Sequence, residues 1–425
     1  MSKEKRRVPK LRFPGFTEDW EQCKLGEIFE YLQNNTLSRD SLNYKIPNIK
    51  NIHYGDILVK FNEILDGSNK DIPYINPDLD LSKFSKSLLR DGDVIFSDTA
   101  EDDTVGKAIE LQNVNAPFIL SGLHTIPCRP LIPFGKGYLG NFFNSNSYRL
   151  QIRPLVQGIK VSSISKSALK DTMIKYPKNL DEQEKIGSLF QSITKMITLH
   201  QRKLEHLNLK KKALLQKLFP KNGERYPELR FPGFTDAWKQ RKLGDIATFS
   251  KGNGYSKSDL ASSGDSIILY GRLYTNYETT ISNVDTFVEL KDKSVISQGG
   301  EVIVPASGET AEDISRASVV KNQGIIIGGD LNVIKANHLL DPTFLALTIS
   351  NGGQQKELSK RAQGKSVVHL HNSDLQEVNL IFPLLNEQKE ISTLFEKMDN
   401  IITLHQRKLD HLQLQKKALL QQMFV

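Results

Sequence analysis

Two short motifs in this chain contain residue types that other proteins use to bind nucleotides. Gly135–Gly140 has the glycine spacing of a dinucleotide-binding turn, but it follows a proline-rich segment and not a clear strand. Gly364–Ser366 resembles the end of a phosphate-binding loop, yet Ser359 stands where that loop needs its first glycine. Neither motif therefore predicts a nucleotide site.

Methyl transfer, phosphodiester cleavage and zinc binding would each need another set of side chains. Asp341–Phe344 approaches the motif of amino-group methyltransferases, but a threonine replaces its second proline. A nuclease centre of paired carboxylates would combine Pro77–Asp78 with Glu289–Lys291, which lie in different halves of the chain. His369 and His371 alternate at strand spacing without clear cysteine or carboxylate partners for zinc. We therefore predict no catalytic centre, no metal site and no cofactor in this chain.

Six other segments contain lysine, arginine, asparagine and aromatic side chains, which contact phosphates and base edges in DNA-binding proteins. Each segment in the first half of the chain has a counterpart in the second half. They are Pro47–Gly55, Ser97–Lys107 and Gln157–Ser167, followed by Leu269–Tyr277, Pro305–Arg316 and Gln363–Ser373. Our candidate DNA-binding residues are Asn48, Lys50, His53, Lys107, Lys160, Lys166, Tyr270, Arg272, Arg316, Lys365 and His369. Any one of these loops could equally be an ordinary solvated turn.

The composition fits a nucleic-acid partner and excludes several classes of protein. A formal charge of +8 favours double-stranded DNA without requiring it. Hydrophobic residues make up 38% of the chain, too many for a disordered protein, and no apolar run is long enough for a membrane span. Two cysteines cannot form a disulfide framework, and the basic start of the chain lacks the apolar run of a secretory signal. We expect a soluble protein of the reducing cytoplasm with no membrane partner.

An internal repeat organises the chain and must position the six segments. Arg12–Ile28 recurs as Arg230–Ile246 with 12 of 17 residues identical. Asp181–Phe219 recurs as Asn386–Phe424 with 23 of 39 residues identical. The stretches between these constant regions hardly resemble each other. Two copies of one fold with divergent surfaces would give this pattern.

The variable stretches cover roughly Glu30–Lys178 and Phe249–Phe382, and only faint parallels connect them, such as Arg90–Phe96 beside Gln298–Val304. Three prolines and two glycines in Phe219–Phe234 mark a loop between the copies. We therefore predict a first variable domain at 1–180, a long helix at 181–219, a linker at 220–229, a second variable domain at 230–385 and a second long helix at 386–425.

Both constant helices carry the heptad seam of a coiled coil, and no helix breaker interrupts them. At about 1.5 Å per residue, each helix would be roughly 58 Å long and could not bury its seam alone. Two equal units related by an internal two-fold axis would pair the helices antiparallel, with the variable domains at opposite ends. The apolar seam positions are Ile186, Phe190, Ile193, Ile197, Leu204, Leu207, Leu214 and Leu218, and then Ile391, Phe395, Met398, Ile402, Leu409, Leu412, Leu419 and Met423.

A helix register follows from matching the two seams over their full length. Ile186 then pairs with Met423, and Leu218 pairs with Ile391. The polar seam residues, which are His200, Lys211, His405 and Lys416, each face an apolar partner in this register. Because polar seam residues commonly fix register and orientation, we assign the histidines that role in preference to metal binding or a pH switch.

The constant regions together resemble the specificity subunits of type I restriction enzymes. The resemblance rests on the RFPGF…KLG segments at Arg12–Ile28 and Arg230–Ile246, on the DEQEKI and NEQKEI helix starts, and on the duplicated LHQRKL…KKALLQ helices. It covers essentially the whole chain in the expected order, while the variable domains match only in loose outline.

The resemblance implies an α+β fold with two mixed α/β target-recognition domains related by pseudo-two-fold symmetry. Each domain would read one half of a bipartite asymmetric site separated by a nonspecific spacer. The conserved helices of the family dock two methyltransferase subunits, which bind S-adenosylmethionine and modify adenine. Two restriction subunits, which use ATP and Mg, would complete the complex. The family thus assigns methylation and cleavage to the partners.

Two other functions remain open from the residues alone. A coiled-coil assembly scaffold could carry divergent domains that bind proteins, with its positive charge incidental. A self-contained methylase and nuclease is the second alternative, and the incomplete catalytic motifs count against it. Footprinting separates the scaffold from a DNA reader, because a scaffold predicts no pair of protected blocks at one spacing.

Overall fold

The computed structural model describes residues 7–116, 118–221, 223–364 and 367–425, which fold into two compact units. The first unit comprises Met1–Gln201 and Lys408–Val425, and the second comprises Arg202–Arg407. Each unit therefore contains one variable domain and a part of both long helices.

The first variable domain is built on a five-stranded sheet whose central strand is fully buried. Its pairings are antiparallel except for a parallel pairing at one edge, in the order Phe29–Tyr31, Thr125–Pro130, Val94–Ser97, Ala108–Gln112 and Ile64–Asp66. A four-stranded sheet has the order Ile119–Ser121, Lys50–Ile52, Tyr74–Ile75 and Leu42–Asn43. Two strand pairs complete the domain, Glu21–Lys24 with Met173–Tyr176 and Thr99–Ala100 with Ser162–Ser163.

The second variable domain repeats this topology strand for strand, including the parallel pairing at one edge of each larger sheet. Its five-stranded sheet has the order Ala247–Lys251, Leu331–Ala336, Glu301–Pro305, Ser318–Val320 and Thr280–Ile281. Its four-stranded sheet has the order Leu260–Ala261, Phe287–Val288, Asp265–Ile268 and Ile326–Ile327. The two strand pairs are Lys239–Lys242 with Asn379–Phe382 and Ser307–Gly308 with Val368–His369.

The faint parallel between Arg90–Phe96 and Gln298–Val304 falls on the central strand of both five-stranded sheets. Gly92 and Gly300 occupy equivalent turns before that strand, with φ angles of 83° and 89°. Glycine adopts this left-handed conformation without the steric cost of a Cβ. The two domains therefore share a backbone even where few side chains agree.

Short helices connect the strands. In the first unit they are Leu25–Ile28, Tyr54–Val59, Tyr138–Phe143, Asn146–Ile152 and Lys166–Lys170, with 3₁₀ turns at Arg39–Ser41, Ser82–Ser87 and Arg153–Leu155. In the second they are Arg272–Thr275, Ala311–Ile314, Pro342–Ile349, Gly352–Arg361 and Asn372–Gln376, with 3₁₀ turns at Leu243–Asp245 and Lys257–Asp259. Side-chain caps fix several starts, as where Ser165 accepts from Ala168 N.

Two of the incomplete motifs lie at equivalent helix starts, one in each unit. Gly135–Gly140 precedes and begins a buried helix of the first unit, and Asp341–Phe344 begins the equivalent helix of the second. Gln183 Oε1 accepts a hydrogen bond from the first residue of the one motif, and Gln388 Oε1 accepts from the first residue of the other. Both motifs therefore secure a helix start against a long helix.

The glycines of the first motif contact the buried side chain of Glu110. The backbone N–H groups of Gly137 and Gly140 donate to Glu110 at 2.6 and 2.9 Å. A Cβ built on Gly140 would lie 2.2 Å from the Glu63 carbonyl oxygen, so only glycine fits there. The dinucleotide-like spacing therefore reflects close backbone packing around an internal side chain.

The two long helices are Leu180–Lys217 and Leu385–Gln422. In the first unit, the start of the first helix shares a core with the end of the second, where Ile186 and Phe190 pack with Met423. In the second unit, the start of the second helix shares a core with Leu218, just beyond the end of the first. Opposite ends therefore meet within each unit, as antiparallel pairing requires. The predicted mixed α/β domains, each followed by a long helix, are confirmed.

The aromatic residue that ends each constant region completes a domain core. Phe424 contacts the rings of Trp20 and Phe190 at 6.4 and 5.7 Å in the first unit. Phe219 contacts the rings of Trp238 and Phe344 at 6.1 and 5.6 Å in the second. Burial of such rings is a major source of stability. This packing explains why both constant regions recur together in the sequence.

Repeated ion pairs fasten the other constant segment to the helix starts. Arg12 forms a two-pronged pair with Glu182 at 2.7 and 2.8 Å, and Arg230 does the same with Glu387 at 2.7 Å. Both glutamates have side chains only 1% exposed. Because a buried carboxylate without its partner is costly, these pairs are structurally required.

Among the described residues, no helix is long and apolar enough to cross a membrane. Within those same residues, no group of three histidine, cysteine, aspartate or glutamate side chains is arranged to hold a metal ion.

Candidate nucleic-acid interface

The three segments selected in the first half of the chain meet on one surface of the first unit. Thr99–Ala100 pairs with Ser162–Ser163, which joins the second segment to the third. The backbone N–H of Ile164 also donates to the Asp98 carbonyl at 2.8 Å. This strand pair therefore brings together two segments that lie about sixty residues apart in the sequence.

An aromatic and histidine cluster brings the first segment to the same place. The rings of His53 and Tyr54 lie 4.7 Å apart, and the Tyr54 ring meets the edge of His124 at 5.2 Å. His124 Nδ1 lies 3.3 Å from Asp98 Oδ1 and 3.4 Å from Thr99 Oγ1. His124 thus links the first segment to the second.

The second unit joins its second and third segments by an equivalent strand pair and its first segment by a different contact. Tyr274 Oη donates to the Ser307 carbonyl at 2.5 Å, which joins the first segment to the second. Ser307–Gly308 then pairs with Val368–His369 of the third segment. Arg316 lies 5.9 Å from the Tyr277 ring centre, a cation–π contact between the last residues of the first two segments.

The third segment of each unit contains a glycine with a positive φ angle. Gly158 and Gly364 have φ angles of 113° and 131°, and a Cβ on either would lie about 2 Å from the carbonyl oxygen of Val161 or Val367. Only glycine allows this turn. Next to Gly158, the side chain of Ile159 is fully exposed.

Among the candidates, Lys160, Lys166, Tyr270 and His369 are exposed and available to a partner. Asn48 is half-buried and donates to the Ile75 carbonyl at 3.2 Å. Lys365 lies outside the described residues.

Two candidate lysines use their ammonium groups inside the protein. Lys50 is 3% exposed and donates to the carbonyl oxygens of Gly67 and Asn69 at 2.7 and 3.0 Å. Lys107 donates to the carbonyls of Leu58 and Phe61 at 3.1 and 2.9 Å. Burial lowers the pKa of both lysines. Their observed contacts are structural.

The other candidates stand next to the surface but are held by neighbours. His53 is buried and caps a helix by accepting from Gly55 N at 3.3 Å. Arg272 pairs with Glu278 and Asp285 at 2.9 and 2.7 Å. Arg316 pairs with Asp313 at 3.2 Å. The observed contacts of these three side chains are therefore with neighbouring residues of the same unit.

Acidic residues, which the selection by positive charge overlooked, also occupy the second segment of each unit. Glu101, Asp102 and Asp103 are exposed in the first unit, and Glu309 and Glu312 are exposed in the second. Carboxylates repel phosphates but accept hydrogen bonds from the amino groups of bases. The surfaces therefore combine side chains of both signs.

His124 and Asp330 are surface residues that sequence reasoning missed, since neither lies in a selected segment. Each follows a glycine-containing turn and has a positive φ, 54° for His124 and 58° for Asp330. A glycine near a strand end marks a turn in sequence, but that signal does not say which neighbouring side chain reaches the surface.

The comparison with known families identifies the chain. The family described as "Type I restriction modification DNA specificity domain" matches residues 17–209 and again residues 235–414, which is most of the sequence. The chain belongs to this family. As a specificity subunit it has two target-recognition domains and is the non-catalytic component of its system, with methylation and cleavage performed by the modification and restriction subunits. The specificity subunit itself binds no cofactor.

Similar proteins agree with this assignment. A putative type I restriction enzyme MjaX specificity subunit from Methanocaldococcus jannaschii is 22% identical over 423 residues, covering 95% of this chain and 92% of the relative. The type I restriction enzyme MjaVIII specificity subunit of the same organism is 19% identical over 280 residues, covering 63% of this chain and 65% of the relative. The crystal structure of the type I S subunit from M. genitalium has a TM-score of 0.62 at 12% identity, covering 98% and 99%, and shows the same fold.

Proposed function

We propose that each three-segment surface reads one half of a bipartite, asymmetric site in double-stranded DNA. The observation that carries this proposal is that both units join their second and third segments by an equivalent strand pair but present different side chains there. Equal frameworks give equal docking geometry, while unequal side chains give unequal base preference. Lys160, Lys166, Tyr270 and His369 are the candidate contacts that remain accessible, and Lys365 remains a candidate from its sequence position.

The long helices offer the surface on which two methyltransferase subunits would dock. Apolar residues outside the seam are exposed at equivalent positions in both repeats, and each unit contains three of them. In the first unit they are Met196, Leu199 and Leu414, and in the second they are Ile401, Leu404 and Leu209. Two equivalent sets of exposed apolar residues, one in each unit and called here the apolar patches, fit two copies of one partner. Two restriction subunits would complete the complex, and we place it in the cytoplasm.

Docking can be tested by charge substitution on one patch at a time. Leu199→Glu should remove one of two bound methyltransferase subunits, and Leu404→Glu should remove the other, as counted by native mass spectrometry. Gln191→Glu, at an exposed position on the first long helix, is the matched control and should retain both. Retention of both subunits by the Leu199→Glu/Leu404→Glu double variant would contradict the proposed docking surface.

DNA reading is tested with the full chain bound to the methyltransferase subunit of its own system. Sequencing of methylated adenines should return one motif made of two different halves at a fixed spacing. Replacing Glu30–Lys178 with the corresponding stretch of another specificity subunit should change one half only. Methylation without any two-block motif, or a change in both halves, would overturn domain-wise reading, and a scaffold would protect no defined DNA blocks.

A further inference from the structure

We propose that His124 and Asp330 are the side chains that set the base preference of the first and second target-recognition domains. This inference rests on the proposed function and names a residue in each domain that gives its half-site a distinct sequence. Both residues lie outside the segments selected from the sequence.

The two residues occupy equivalent places in the two domains. Each closes the turn that connects a strand of the four-stranded sheet to a strand of the five-stranded sheet. The His124 carbonyl accepts from Asp98 N at 3.1 Å, and the Asp330 carbonyl accepts from Ala306 N at 2.8 Å. These bonds tie each turn to the second of the three converging segments. One backbone position therefore carries an imidazole in one domain and a carboxylate in the other.

The two residues also share an uncommon backbone conformation. With φ angles of 54° and 58°, both residues lie in the left-handed region, where glycine avoids the steric conflict of a Cβ. Non-glycine residues in this conformation cluster at functional sites, where the side chain is required in a particular direction. A polar side chain at this position in both domains therefore points to a use on the surface.

Contacts with the first and second segments hold the ring of His124 in place on the first surface. Its Nδ1 faces Asp98 and Thr99, and its ring meets Tyr54 edge to face. The side chain nevertheless remains 47% exposed. Because both polar contacts involve Nδ1, the opposite ring nitrogen, Nε2, is directed away from them and can meet a base edge.

Asp330 is exposed on the equivalent surface of the second unit. Asp330 also interacts electrostatically with Tyr274. Burial raises the pKa of Tyr274, and the charges of Asp313 and Asp330 add to that rise. An ionised carboxylate only accepts hydrogen bonds, so it matches the exocyclic amino group of cytosine or adenine. An imidazole can donate or accept at Nε2. The two domains thus differ in the hydrogen-bonding character of the reading position.

Glycine substitutions test this role at backbone positions that suit glycine. His124→Gly and Asp330→Gly remove the side chain at a backbone conformation that glycine adopts freely, and the melting temperature checks that both variants remain folded. In the complex with the methyltransferase subunit, methylated-adenine sequencing should show that discrimination at one base pair falls about tenfold or more. His124→Gly should affect one half-site and Asp330→Gly the other.

Matched controls come from the same backbone class. Asn113 and Lys293 have φ angles of 54° and 67°, one in each unit, and neither lies in a converging segment. Asn113→Gly and Lys293→Gly should leave the whole motif unchanged. In a gain-of-function arm, His124→Asp should shift its half-site towards a base pair that presents an amino group at that position.

The outcomes separate this inference from the proposed function. If the unmodified complex methylates a two-block motif but His124→Gly and Asp330→Gly leave both halves unchanged, the reading residues lie elsewhere and this inference is overturned. It is overturned as well if either variant alters both halves. If the unmodified complex shows no two-block motif, the proposed function itself fails.

Discussion

The two target-recognition domains share a framework, yet equivalent positions in them carry opposite charges. Tyr54 and Tyr270 follow equivalent strands, but the acidic Asp56 two residues after the first corresponds to the basic Arg272 after the second. Each charge is neutralised locally, as where Asp56 pairs with Arg39 at 2.8 Å. The two domains therefore differ both in their surface side chains and in the ion pairs beneath them. A framework that tolerates charge reversal can present many recognition surfaces.

The seam lysines show the same contrast. Lys211 bonds Asp399 of the second long helix at 2.5 Å, so this pair joins helix to helix. Its repeat counterpart Lys416 would face Thr194, which has no charge, and instead bonds Glu63 of the first recognition domain at 2.8 Å. A uniform helix repeat is thus attached to its two domains by different bonds.

Removal of the terminal aromatic rings should have the largest effect on this comparison. Phe424→Ala should destabilise the first unit, and Phe219→Ala the second, by about 3–5 kcal/mol each, because both are buried in domain cores. Hydrogen exchange followed unit by unit measures this. Equal loss of protection in both units from either variant would show that the cores are not independent.

Disruption of the seam lysine pairs should have a smaller effect that differs between the units. Glu63→Gln and Asp399→Asn should each cost about 1–3 kcal/mol, because a partly buried ammonium loses its charged partner. Denaturant unfolding measures the loss.

Exchange data distinguish the two attachments. Glu63→Gln should reduce protection of the adjacent strand Ile64–Asp66, while Asp399→Asn should leave the second recognition domain protected. Identical exchange patterns from the two variants would show that the pairs serve one role.

A surface lysine should change DNA affinity without changing sequence preference. Lys166→Ala should reduce the slope of log affinity against log salt by about 1, as expected for one lost phosphate contact. Lys86→Ala is an exposed control in the same unit and lies outside the three segments. Equal slopes for Lys166→Ala and the unmodified protein would remove Lys166 from the interface.

The smallest effect concerns Glu110, whose place in the second unit is taken by Val319. Burial raises the pKa of Glu110, so the folded state retains its proton at higher pH than the unfolded state does. Its stabilising contribution should be complete below the unfolded pKa and decline as pH rises through the folded pKa. Glu110→Gln should flatten the pH dependence of unfolding in the first unit only, and an unchanged profile would contradict this linkage.

The comparison also shows how far sequence predicts the site. The six segments were selected by residue type alone, and the structure joins the second and third of them by a strand pair in both units. Individual side chains were harder to predict. Lysine is a residue type that commonly contacts DNA, yet the ammonium group of Lys50 donates to two internal carbonyl oxygens. Sequence cannot say which of several polar residues in one loop finds a partner across the fold.

The sequence by itself determined the repeat, the two long helices and the family, because periodic apolar residues and matching segments are local features of the chain. Only the tertiary structure decided that Phe424 completes the first domain and that Lys416 and Lys211 bond different elements. Such choices depend on neighbours far apart in sequence. For the same reason, His124 and Asp330 emerged as equivalent surface positions only when strand pairing had superimposed two turns with almost no sequence in common.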